Sequence, residues 1–62
     1  MKAIIEIDMS GAAFDDTPAT ELAERLCELA TDIREYGAGA LAPVVLRDSN
    51  GNTCGTFRID ED

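Results

Sequence analysis

Val44-Val45-Leu46-Arg47-Asp48-Ser49-Asn50-Gly51-Asn52-Thr53-Cys54-Gly55-Thr56-Phe57 decides the fold. Two runs of β-branched and apolar residues flank a polar segment with Asn-Gly at its centre, the dipeptide preferred in a tight β-hairpin turn. A two-residue turn at Asn50-Gly51 pairs Leu46 with Gly55, Val44 with Phe57 and Ala42 with Ile59, which makes one face of the hairpin apolar throughout. The other face pairs Pro43 with Arg58, Val45 with Thr56 and Arg47 with Cys54. A slip of one residue would scramble both faces, so the pattern specifies its own register.

Working back from the hairpin, Gly37-Ala38-Gly39-Ala40-Leu41-Ala42 is small and flexible and reads as a connection, with Pro43 opening the strand. The preceding segment is punctuated as a helix: Thr17 at the N-cap, Pro18 at the first helical position, and Gly37 just after Tyr36. At 100° per residue, Leu22, Leu26, Leu29 and Ile33 fall within about 60° of one another, flanked by Tyr36 and by Ala19, Ala23 and Ala30. This stripe is the expected core face.

At the other end of the chain, Ala3 to Met9 alternates as a half-buried strand, with Ala3, Ile5, Ile7 and Met9 on one face and Lys2, Ile4, Glu6 and Asp8 on the other. Ser10 to Asp16 reads as a loop with Phe14 anchoring one end of the core. The predicted class is therefore α+β, a β-α-β-β single domain over residues 1–62. One amphipathic helix packs on a three-stranded, mainly antiparallel sheet whose central strand is the third, which permits a right-handed crossover. Asp60-Glu61-Asp62 is expected to fray.

At 62 residues the chain holds one core, and a domain of this size buries only about 60% of the surface its unfolded chain exposes. Cys27 and Cys54 lie in different elements without metal-ligand spacing, and there is no histidine. The expectation is two reduced thiols and no metal or cofactor. The N-terminus, one lysine and a short apolar run interrupted by carboxylates, reads as a strand and not as a secretory signal.

Thirteen acidic residues against five basic ones give a net charge of −8. That balance disfavours direct binding to nucleic acid or to an anionic membrane, and a basic surface is the complementary partner. No residue set suggests catalysis: there is no Cys-His or Ser-His pairing, no phosphate-cradling glycine loop, and too little chain for a pocket that would retune a carboxylate. The chain is expected not to be an enzyme.

The helix carries a second stripe. Glu21, Glu24, Glu28, Asp32 and Glu35 fall within about 80° of one another, roughly 130° from the leucine stripe, along about 21 Å of helix. Glu24 with Glu28 and Glu28 with Asp32 are like-charge i,i+4 pairs, and Asp32 and Glu35 lie near the negative end of the helix dipole, an arrangement that stability alone disfavours. Arg25 can pair with Glu21 and Glu28, and Arg34 offsets part of the C-terminal charge. An ordinary solvated face is one reading of this stripe. The sharper one is mimicry of a phosphate backbone, which presents closely spaced negative charge to Lys and Arg channels. A third surface, the sheet face away from the helix, sets Ile4, Val45, Thr56 and Cys54 among Lys2, Glu6, Arg47 and Arg58; it is either exposed to water or a pairing surface.

KAIIEID from Lys2 to Asp8, the Phe14-Asp15-Asp16 loop, ELAERLCELATDI from Glu21 to Ile33, and LRDSNGNTCGTF from Leu46 to Phe57 resemble a group of small accessory proteins encoded by bacteriophages and prophages. The resemblance spans most of the chain, and its motifs are structural ones. Small acidic phage proteins of this size include anti-CRISPR inhibitors, several of which block a surveillance complex by occupying its DNA-binding surface.

The resemblance thus implies a phage-encoded inhibitor acting in the host bacterial cytoplasm. Its partner would be the basic surface of a host complex such as a CRISPR effector, bound without cofactor, direct nucleic-acid contact or membrane. Glu21, Glu24, Glu28, Asp32 and Glu35 are the expected partner-binding residues, and the chain is expected to be a monomer or weak homodimer. The alternative is an acidic accessory protein that binds a different partner, or itself, through the open sheet face.

Overall fold

In a computed structural model describing residues 1–61, the chain forms β1 (Lys2–Ile7), a 3-10 turn (Ala12–Phe14), α1 (Pro18–Tyr36), a one-turn helix α2 (Ala38–Leu41), β2 (Val44–Arg47) and β3 (Thr53–Asp60). The sheet order is β1-β3-β2, with β3 central and antiparallel to both neighbours. This is the α+β, β-α-β-β arrangement expected from the sequence. Asp60 is the last residue of β3, while Asp62 of the acidic tail lies outside the described residues.

The hairpin register matches expectation in the middle of the ladder, where Val44 opposes Phe57, Val45 opposes Thr56 and Leu46 opposes Gly55, but β2 begins at Val44 and the ladder does not extend to the expected pairs Pro43–Arg58 and Ala42–Ile59. The turn itself differs. Asp48 N–H donates to Asn52 O at 2.8 Å and Gly51 N–H donates to Asp48 O at 2.9 Å, so the loop is Ser49 to Gly51 and not Asn50-Gly51 alone. Gly51 has φ of 84°, and no other residue type has positive φ among the described residues, which rules out a type I′ turn at Asn50.

This longer loop shifts the pairing by one, so Arg47 opposes Thr53 where Cys54 was expected. Cys54 is the extra residue of a bulge that restores the register beyond it. The bulge also re-aims its side chain. Cys54, expected on the open sheet face, is 6% exposed and belongs to the core with Phe14, Leu29, Leu46 and Phe57.

The core is small. Phe57, 1% exposed at the middle of the central strand, is its largest fully buried side chain, and burying one such ring contributes about 2–3 kcal/mol. Phe14 caps one end as expected. Gly55 opposes Ile7 where β1 and β3 approach so closely that a Cβ would collide with the Glu6 carbonyl oxygen. Only glycine fits there.

Helix α1 begins and ends where the punctuation placed it. Thr17 is its N-cap residue without a side-chain cap hydrogen bond, and Gly37, at φ of 83°, donates its N–H to Ile33 O to close the last turn. The buried face is rotated from the expected one. Leu29 is buried and Leu22 and Ile33 are half-buried, but the most buried partners of Leu29 on the helix are Glu21 and Arg25, while Leu26 is 40% exposed and Tyr36, the last residue of the helix, is exposed as well. On the wheel this is a turn of about 50° toward Arg25, which leaves Ala19, Ala23 and Ala30 exposed as well. The physical reason is a polar latch to the hairpin.

Candidate functional site: the carboxylate face of the long helix

Ser49 donates its backbone N–H to Glu21 Oε2 and its hydroxyl to Glu21 Oε1, both at 2.9 Å. One turn along the helix, Arg25 Nε lies 3.3 Å from the same carboxylate, and Arg25 Nη1 donates to the Arg47 carbonyl oxygen at the end of β2. The Nε contact is an ion pair and is not aligned as a hydrogen bond. Asp48, 6% exposed, accepts from the N–H groups of Asn50 and Asn52 and so shapes the loop that presents Ser49. The buried carboxylate and the loop donors thus satisfy one another, and the buried guanidinium is paired with that carboxylate and bonded through Nη1, while its Nε–H has no hydrogen-bond partner.

This latch corrects one expected site residue. Glu21 is 5% exposed and committed to Ser49 and Arg25, so it is not available to a partner. The four other expected residues, Glu24, Glu28, Asp32 and Glu35, are exposed on α1. They span about 16 Å of helix and share one face.

Electrostatically the face is graded. Arg25 Nη2 lies 3.7 Å from Glu24 Oε1 and 3.4 Å from Glu28 Oε2, although both carboxylate side chains stay open to water at 60% and 69% exposure. Arg25 therefore pins the near end of the row from beneath while leaving its outer oxygens free. Among the described residues, Asp32 and Glu35 have no ion-pair partner. The helix dipole concentrates further negative potential at their end.

A feature not visible in the sequence is where this row sits. Glu28 and Asp32 overhang a shallow groove floored by Leu29 and walled by β2 from Val44 to Arg47. The carboxylates therefore border an open sheet edge, with Val45 49% exposed on the far side of that strand. Nothing in the sequence signalled this neighbour, because it follows from the rotation of α1 about its axis.

The cysteines divide sharply. Cys27 is exposed on α1, and Cys54 is buried, with burial first and the nearby Asp48 charge second pushing its thiol above the ordinary range. At the end of β1, Asp8 accepts hydrogen bonds from Ser10, first through the side chain and then the backbone, which hold its carboxyl below the ordinary range. Among the described residues no cluster of His, Cys, Asp and Glu has metal-binding geometry, and no helix is long and apolar enough to cross a membrane.

In comparison with known proteins, no family model, no curated protein and no solved structure matches the chain.

Proposed function

We propose that the domain is a binding protein, without catalysis, that covers a basic nucleic-acid-handling surface with the carboxylates of Glu24, Glu28, Asp32 and Glu35. The observation that carries the reading is their common exposure on one helix face whose orientation is fixed by the Glu21–Ser49 and Arg25–Arg47 contacts. Carboxylates held on a rigid helix lose little freedom on binding, and they present repeated negative charge to groups built to grip phosphates. Their action is steric and electrostatic competition with DNA.

The sequence resemblance to small phage accessory proteins makes an anti-CRISPR role in the host cytoplasm the specific form of this proposal, with a surveillance complex as target. Its test is target-DNA binding by such a complex in the presence of the domain. Inhibition that weakens with salt and is relieved by excess duplex DNA supports it. Unimpaired DNA binding at saturating domain removes the anti-CRISPR form of the proposal.

A second reading, attachment through the outer sheet face, is favoured by Val45, which stands 49% exposed there. Val45→Asp separates the two, since it alters that face and leaves the helix carboxylates untouched.

A further inference from the structure

β1 is an edge strand whose charged side chains, Lys2 and Glu6, are its blunting devices; the proline and the bulge that also protect such edges are missing. It runs from Lys2 to Ile7 in unbroken register with β3, without proline or bulge. The opposite edge is treated differently: β2 is shorter, follows Pro43, and has its terminal Arg47 carbonyl occupied by Arg25.

The direction of the free backbone groups on β1 follows from one bond. Asp8 N–H donates to Cys54 O, so Asp8 faces β3. Alternation along an antiparallel pair then turns Glu6, Ile4 and Lys2 toward β3 as well, and turns the N–H and C=O groups of Ile7, Ile5 and Ala3 outward. The side chain of Ile5 is left open too. It is 44% exposed although its register partner Phe57 is 1% exposed, because α1 is latched over β2 and not over β1.

We propose that this edge takes a second copy of the same chain, with the two β1 strands antiparallel and Ile5 opposite Ile5 on a twofold axis perpendicular to the sheet. In this register Ala3 of each copy opposes Ile7 of the other, so every outward N–H and C=O of Ala3, Ile5 and Ile7 finds a partner. The side chains are self-complementary in the same register: Ile5 meets Ile5, Ala3 meets Ile7, and Lys2 meets Asp8 with opposite charge. An isologous contact of this kind closes at two copies and does not propagate.

The twofold keeps both copies of α1 on one face of a continuous sheet. On the wheel, the flank of α1 turned away from the β2 latch carries Leu26, Ala19, Ala30 and Ala23, all exposed. Strand order places that flank on the β1 side, so the two apolar flanks face one another across the sheet surface between them, which carries the Ile5 pair, and the acidic faces point outward. The proposal does not depend on the acidic face having a partner, and its salt dependence is opposite. Each copy carries −8 charges, so salt screens their repulsion and strengthens self-association, whereas it weakens binding to a basic surface.

The experiment is sedimentation equilibrium of the purified chain across concentration and salt, with residue-resolved amide exchange. The expected result is a mass rising twofold from the 6.6 kDa chain, more readily at high salt, with the Ala3, Ile5 and Ile7 amides becoming protected as the mass rises. Ala3→Pro is the decisive variant. It removes an outward N–H and leaves the β1–β3 ladder its own bonds, so it should fold with an unchanged spectrum and remain monomeric. A mass that stays at one chain, with the Ala3, Ile5 and Ile7 amides unprotected, overturns the proposal. So does a dimer that Ala3→Pro leaves intact.

Discussion

Ser49 grips both oxygens of the Glu21 carboxylate, through its N–H and its hydroxyl, across a sequence separation of 28 residues. This contact ties the start of the long helix to the hairpin loop and, with Arg25, decides which side of the helix faces solvent. Removing the acceptor unties Ser49 and takes from Arg25 its one buried carboxylate partner, leaving it the exposed Glu24 and Glu28 and the Arg47 carbonyl. Glu21→Ala should therefore cost about 3–5 kcal/mol, as loss of one member of a buried pair does, and Ser49→Ala about 1–2 kcal/mol. Urea unfolding followed by circular dichroism checks both; equal midpoints for Glu21→Ala and the parent would mean the latch is not structural.

Glycines at two neighbouring positions should fail for different reasons. A Cβ on Gly55 meets backbone, the Glu6 carbonyl, which cannot swing away, so Gly55→Ala should cost about 3 kcal/mol or prevent folding. Gly51 has open space around it but a φ of 84°. Gly51→Ala should cost about 1–2 kcal/mol, and Gly51→Asn less, because asparagine tolerates the left-handed region. Thermal melts of the three variants rank them.

Thiol chemistry gives an independent reading of the bulge. Cys27 should be alkylated within minutes in the native protein and Cys54 only on unfolding, as intact mass after iodoacetamide would show. The folded Cys54 thiol titrates above its unfolded value. Its contribution to stability is therefore complete below the unfolded thiol range, about 8.5, and is lost as pH rises through the higher folded value. Cys54→Ala should flatten the alkaline fall in stability. Rapid modification of Cys54 would place it on the open sheet face that the uninterrupted register implied.

Much of the architecture was legible because each element carries its own local signal. Pro18 and Gly37 bound the helix, the Asn-Gly segment marks the hairpin, and alternation from Ala3 marks β1, although of the expected inner face of Ala3, Ile5, Ile7 and Met9 only Ile7 is half-buried and the strand ends there. What the sequence did not disclose comes from interactions between elements. A helical wheel ranks Leu26 above Arg25 for burial, and only the meeting of Glu21 with Ser49 and of Arg25 with the Arg47 carbonyl reverses that order. The burial of Cys54 likewise depends on a loop one residue longer than the preferred turn, a difference that Ser49-Asn50-Gly51 does not reveal by composition. Of the five acidic residues singled out, the one nearest the hairpin became part of the scaffold and the other four remained a surface.

Asp32 and Glu35 provide the most direct test of that surface. Among the described residues they have no ion-pair partner, and they occupy the helix end where cations are favoured, so Asp32→Lys with Glu35→Lys should leave the fold intact or slightly more stable. The measurement is competition between the domain and duplex DNA for a purified CRISPR surveillance complex, comparing the parent, this double variant and Val45→Asp at equal concentration. The account predicts that the parent and Val45→Asp displace DNA and that the charge-reversed domain loses at least tenfold in potency. Full potency in the charge-reversed domain would contradict it, and loss confined to Val45→Asp would move the binding surface to the sheet.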